Sequence, residues 1–244
     1  MIIRNKFKFL IVTILLIGYY YFPYAIEGIG FYHKIWAHQI NTVEELNSAL
    51  NYYEGVELDL VYNSEKNLLD VYHPPSKSKG LSFKKYLKAI EKNNFPYLWL
   101  DIKNINNDNA TAILDRLLFL FETKNYPLNK ILIESKKPKE LIKFEKKGFK
   151  TSYYLPFHLH KKDSLSLSKS ILSIKNIIKS QPNIAISTSF KDYNIIKKEF
   201  PNQSKYIWAI LKPIHFQHFK IREILKDEYV KIILLNYNVV RGNR

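Results

Sequence analysis

Short apolar runs alternate with longer helical stretches along almost the whole chain, and that alternation predicts an α/β fold of the closed (β/α)8, or TIM-barrel, class. Three observations carry the expectation. The runs are rich in Ile, Val, Leu, Tyr and Trp, and each is short enough for a strand. About eight strand and helix pairs can be counted, the number that closes such a barrel. The 244 residues include no low-complexity linker or repeat, which suits one large domain over residues 31–244. Parallel strands need crossover helices, and closure removes the sheet's edges. A doubly wound open sheet is the alternative that the same pattern allows.

Strands are expected at residues 31–37, 56–61, 97–102, 130–133, 150–155, 183–186, 206–211 and 230–235. Helices are expected between them, at 42–53, 82–92, 109–124, 138–147, 164–180, 193–200 and 216–226. The first of these opens on Thr42 and Glu45, a capping box. One run, 68–72, breaks the alternation after the polar turn 63–67. It reads as a strand extension or hairpin that carries His73 back over the barrel mouth.

Ahead of the barrel, Arg4, Lys6 and Lys8 precede an apolar run from Phe9 to Phe22, and Pro23 follows it. A charged flank before an apolar stretch is the pattern of a membrane-targeting segment, expected over residues 1–26. No small-x-small cleavage site follows, which favours an uncleaved anchor over a removed signal. With the positive charges retained inside, the barrel would face the exported side; cleavage would make the protein secreted. A buried core helix is the bland alternative.

A hydrophobic content of 46%, with 15% aromatic residues, excludes a disordered chain. The formal charge of +16 predicts an anionic partner: phosphate, anionic lipid or nucleic acid. No nucleic-acid-binding motif is recognisable, which argues against the last. The absence of cysteine excludes disulfides, a thiolate metal site and a cysteine nucleophile, so any cation must be held by oxygen or nitrogen.

The chemistry is concentrated in the first 103 residues. His38 ends the first strand, Glu57 and Asp59 lie on the second, His73 follows the extra run, and Asp101 and Lys103 end the third. Side chains two apart on a strand share a face, so Glu57 and Asp59 point together, as do Asp101 and Lys103. In a (β/α)8 barrel the site lies at the C-terminal ends of the strands, where all of these converge. Three inward carboxylates demand a counter-charge, and Mg²⁺ or Ca²⁺ with oxygen ligands supplies it. A structural ion pair between Lys103 and one acid is the bland alternative. The two histidines supply proton transfer, His38 as a base or as a nucleophile toward phosphorus, and Lys103 can meet phosphoryl oxygens. That is the equipment for cleaving a phosphodiester.

The combination Trp36-Ala37-His38 with Asn41, Glu57-x-Asp59, His73-Pro74-Pro75 and Leu100-Asp101-x-Lys103 resembles the phospholipase C-like phosphodiesterase superfamily of (β/α)8 barrels. That superfamily includes glycerophosphodiester phosphodiesterases and spider-venom-type sphingomyelinases D. The pattern spans residues 31–104 and is most similar to the menorin family. Gln39 stands where glycerophosphodiesterases carry arginine, and Asp101 where they carry glutamate. The resemblance implies His38 and His73 as the catalytic pair, Glu57, Asp59 and Asp101 as metal ligands, and Lys103 as a phosphate contact, with Asn41 beside them. It also implies a pocket-lining role for Trp208. Asn236 is a candidate to hydrogen-bond a phosphate or head group.

Other polar or aromatic residues near expected strand ends, namely Glu134, Ser135, Tyr154, Ser187, Ser189 and Tyr237, read equally well as barrel packing. His158 and His160 read as loop residues that no acid accompanies closely, His215 and His218 as a surface helix start, and 136–147 as a solvated helix face. The function expected is metal-dependent cleavage of a glycerophosphodiester or (lyso)phospholipid-like substrate. The alternative is a catalytically silent barrel that binds phospholipid head groups or a partner protein. Nothing in the sequence speaks to the oligomeric state.

Overall fold

The computed structural model describes residues 6, 8–13, 25–91, 94–211 and 216–237. Eight parallel strands form the barrel: β1 (Ile35–His38), β2 (Gly55–Asn63), β4 (Tyr97–Ile102), β5 (Ile131–Ser135), β6 (Lys150–Tyr154), β7 (Ala185–Ser189), β8 (Lys205–Ala209) and β9 (Val230–Asn236). β1 pairs with both β2 and β9, so the sheet closes on itself and the open doubly wound alternative is excluded. The run after the second strand is β3 (Leu68–Val71), antiparallel to β2, as the hairpin reading expects.

A short helical turn, α1 (Ala25–Gly28), precedes β1. Around the barrel run α2 (Val43–Ala49), α3 (Phe83–Lys88), α4 (Ala110–Lys124), α5 (Pro138–Glu145), α6 (Ser164–Ser180), α7 (Tyr193–Glu199) and α8 (His218–Lys226). The Thr42 hydroxyl accepts from Glu45 N at 3.1 Å and so caps α2 as expected. The return bond goes to Asn41 N, one residue earlier than in a simple capping box, at 3.0 Å. The expected membrane-targeting segment lies mostly outside the described residues. Among those described, no helix is long and apolar enough to cross a membrane.

Several boundaries differ from expectation: α2 ends at Ala49 rather than 53, α3 at Lys88 rather than 92, and β8 at Ala209 rather than 211. Two further differences have a plain physical reason. Residues 32–34 form a 3-10 turn rather than the start of β1, because the Lys34 ammonium reaches back to Leu225 O (3.0 Å) and Asp227 O (2.9 Å) at the end of α8. β7 runs to Ser189 rather than stopping at 186, since the buried hydroxyls find partners: Ser187 donates to Glu134 on β5, and Thr188 to Asp192 in the turn that follows the strand.

Alternation along the strands sorts the interior into two layers. Val56, Leu58, Leu60, Leu98 and Leu100 face the helices, in the main core. Trp36, Trp99, Leu132, Ala185, Tyr206, Ile232 and Leu234 form a separate apolar plug at the barrel floor. One step up come the residues of the mouth, His38, Asp101, Glu134, Ser187, Trp208 and Asn236 among them. The plug is close-packed at Gly55, where a Cβ would lie 2.5 Å from the Trp36 indole. Gly55→Ala therefore forces the indole aside. It is expected to lower stability by about 1–3 kcal/mol in urea unfolding. A midpoint equal to the parent's would show that the floor yields more easily than this packing implies.

Candidate active site

The register of β2, β4 and β5 sets the acids side by side: Asp59 is opposite Asp101, and Asp101 is opposite Glu134. Glu57 lies one inward step below Asp59. All four carboxylates are buried. Glu57, Asp59 and Asp101 each offer an oxygen within 4.8 Å of the others. Lys103 is the counter-charge, its ammonium 2.6 Å from Asp59 Oδ1 and in contact with Asp101 Oδ2. The ion pair of the bland reading thus exists, with two acids rather than one; among the described residues no lysine or arginine pairs with Glu57 or Glu134.

Electrostatics record that imbalance. Burial, then repulsion from Asp59 and Asp101, holds the Glu57 carboxyl well above the usual range. Burial raises Asp101 as well, against the pull of Lys103. Burial pulls the Lys103 ammonium down, but Asp101, Asp59 and Glu57 together outweigh it and hold it above the ordinary lysine range. Such a group of acids fits a hard divalent cation: oxygen donors only, converging, and short of positive charge.

His38 stands at the mouth end of β1, its Nε2 3.6 Å from Glu57 Oε2. Burial lowers its pKa to about 4; Asp59 opposes the shift, while Lys103 and His73 add to it, so the ring is neutral near pH 7. After His38 the chain enters the left-handed region at Gln39 (φ 55°), and this turns the Gln39 N–H onto Glu57 Oε2 at 2.7 Å. Asn41 is spent on Asp59 at both ends: its Nδ2 donates to Oδ2 (2.7 Å) and its Oδ1 accepts from Asp59 N (2.9 Å). His73 is exposed just beyond β3, where Tyr72 N donates to Asp59 O at 3.2 Å. Its charge is felt at His38.

On the far wall, Trp208 stacks edge-on against Tyr154, with ring centroids 4.7 Å apart. Asn236 pairs with His38 in register and donates to Leu211 O at 2.8 Å, tying down the loop after β8. The structure therefore brings His38, Glu57, Asp59, Asp101 and Lys103 into one cluster. His73, Trp208 and Asn236 join it at the same end of the barrel.

Sequence reasoning undervalued three residues. Glu134, weighed as filler, accepts from Trp99 Nε1 at 2.7 Å and from Ser187 Oγ at 2.5 Å. Burial and then Asp101 push its carboxyl up to about 8, against those two bonds. Lys136, assigned to a solvated helix face, instead lies over the rings of Tyr154 (4.9 Å) and Phe157 (4.3 Å), and its charge reaches Asp101. His160 does have an acid: Nδ1 contacts Asp192, a buried carboxylate that also accepts from His160 N and Thr188. His218 pairs with Glu27, and His215 lies outside the described residues.

Solved structures with this architecture supply an independent comparison. The chain aligns with a glycerophosphodiester phosphodiesterase from Parabacteroides distasonis at TM-score 0.57 and 15% identity, covering 83% of this chain and 92% of that one. A glycerophosphodiester phosphodiesterase from Thermotoga maritima gives TM-score 0.57 and 12% identity over 83% and 93%. An Oleispira antarctica phosphodiesterase, solved with the product sn-glycerol-3-phosphate, gives 0.58 and 10% over 86% and 95%. The chain shares their barrel fold. At these identities the likeness is one of fold. No family model matches the sequence, and no curated protein matches it.

The Glu134 carboxyl sets a pH dependence. Its folded value is about 8 against an ordinary 4.5, so between these values the folded protein keeps a proton that the unfolded chain has lost. Stability contributed by this group therefore falls as pH rises through that window. Glu134→Gln keeps an acceptor for Trp99 and removes the titration. In thermal unfolding with EDTA the variant is expected to gain roughly 3 °C over the parent at pH 8, and less at pH 5. Parallel curves at both pH values would contradict the assignment.

Proposed function

We propose that this protein is a metal-dependent phosphodiesterase of the phospholipase C-like type, nearest the menorin family. It acts on a glycerophosphodiester or (lyso)phospholipid-like substrate. The observation that carries the reading is the convergence of three buried carboxylates, Lys103 and a neutral His38 at the mouth of a barrel. That barrel has the fold of proteins named as glycerophosphodiester phosphodiesterases.

Glu57, Asp59 and Asp101 would hold the cation, Mg²⁺ or Ca²⁺. When bound, it supplies Lewis-acid polarisation of the phosphoryl oxygens. Asn41 and the Gln39 N–H fix the orientation of two of these acids. Neutral His38 accepts the proton of the attacking hydroxyl, whose oxygen then bonds to phosphorus. The bond from phosphorus to the leaving oxygen breaks, and His73, exposed at the mouth, protonates the departing alkoxide. Lys103 offers its ammonium to the charge gathering on the phosphoryl oxygens. Trp208 and Asn236 line the opposite side. When the nucleophile is a neighbouring hydroxyl of the substrate the product is a cyclic phosphate; when it is water the diester is hydrolysed. The apolar run before the barrel tethers the protein to a membrane, with the barrel on the exported side.

The test is turnover by the full chain on glycerophosphocholine, lysophosphatidylcholine and sphingomyelin, with Mg²⁺ or EDTA, beside His38→Ala, His73→Ala and Glu57→Gln. Expected is cation-dependent cleavage that falls by about 10²–10⁴-fold in each histidine variant, the worth of a positioned acid or base. A folded protein that binds Mg²⁺ and turns over none of these would favour the silent, head-group-binding barrel.

A further inference from the structure

The chain joins the barrel from the side of the mouth. α8 follows the mouth end of β8 and leads to the floor end of β9, so it descends the barrel wall. Residues 27–34 descend alongside it. Glu27 pairs with His218 in the first turn of α8. One turn lower, the Arg222 guanidinium donates to Glu27 O (3.1 Å) and Ile29 O (3.0 Å) and covers the Phe31 ring. Lys34 closes the last turn. Only then does the chain reverse into β1 and climb back to the mouth. Glu27 thus sits at mouth level, and the apolar sequence from Phe9 to Phe22 precedes it in the chain.

The same rim is greasy and basic. Phe216 and Phe219, at the head of α8, are 94% and 91% exposed, so almost all of both rings faces solvent. Ile210 beyond β8 and Phe157 beyond β6 are about half exposed on that face. Exposed lysines stand among them: Lys136, Lys161 and Lys191 follow β5, β6 and β7. Paired, fully exposed phenylalanines mark a contact surface rather than ordinary scatter. Apolar side chains set among cations match the interface of an anionic bilayer, where rings enter the acyl boundary and lysines meet head groups.

We propose that the mouth face of the barrel is a membrane-contact surface: Phe216 and Phe219, aided by Ile210 and Phe157, enter an anionic bilayer on which the N-terminal approach of the chain also sets the mouth. Resting on the functional reading above, the site then draws its phosphodiester from lipid rather than from solution.

Fluorescence quenching tests the orientation without requiring turnover. The full chain is reconstituted in phosphatidylcholine–phosphatidylglycerol vesicles whose lipids carry bromine high on the acyl chains. Tryptophan is placed at the rim by Phe219→Trp or at the exposed floor by Tyr52→Trp, with the parent protein giving the background. Expected is quenching of Phe219→Trp by half or more, with Tyr52→Trp at background. Quenching at the floor, at both ends or at neither would overturn the proposal.

Turnover supplies a second readout. Phe216→Ser with Phe219→Ser should lower cleavage of vesicle lipid at least tenfold and leave a soluble diester unchanged. An equal fall on both, or on neither, would overturn the lipid-source clause. A protein with no turnover at all would instead refute the functional reading, and the quenching pattern would still decide the orientation.

Discussion

Four carboxylates share the upper interior of the barrel, and among the described residues Lys103 is the one lysine in direct contact with any of them. That imbalance organises the rest of the structure. Taking an acid out of water is costly unless it is paired, hydrogen-bonded or protonated, and each acid here shows one of these solutions. Asp59 and Asp101 share Lys103, Glu57 takes the Gln39 N–H, and Glu134 takes Trp99 and Ser187 while burial pushes its pKa up to about 8. A divalent cation would resolve all of it at once, which is why the cluster reads as a metal centre more readily than as a set of structural ion pairs.

The floor makes this arrangement possible. Trp36, Trp99, Tyr206 and their neighbours fill the lower barrel, so the acids above sit on a packed apolar base. Trp99 joins the layers: its ring belongs to the plug, while its indole N–H holds Glu134. The loops above complete the site by small devices. A left-handed Gln39 turns one N–H, a short β3 returns the chain past β2, and Asn236 ties the loop that follows Trp208.

Much of this was legible in the sequence because its physics is local. Period-two spacing in Glu57-x-Asp59 and Asp101-x-Lys103, and apolar runs separated by helical stretches, are short-range signals that strand geometry converts directly into position. Features that depend on partners far along the chain were not legible. Glu134 acquires its meaning from Trp99 and Ser187, and His160 from Asp192, pairs that only the barrel register brings together. Lys136 was hidden by the lysine-rich helix that follows it, though its place directly after β5 is a mouth position by topology. β1 was read too early because Phe31 lies under Arg222 of α8 and Lys34 is drawn to the carbonyls at that helix's end, partners far along the chain.

The central claim, a cation held by Glu57, Asp59 and Asp101 at the heart of the site, is tested most directly by anomalous diffraction from crystals of the full chain grown with Mn²⁺. The account predicts one strong peak about 2.0–2.4 Å from an oxygen of each of the three acids, with the Lys103 ammonium drawn away from at least one of its two carboxylates. The contradicting result is no peak among them, with Lys103 still bridging Asp59 and Asp101.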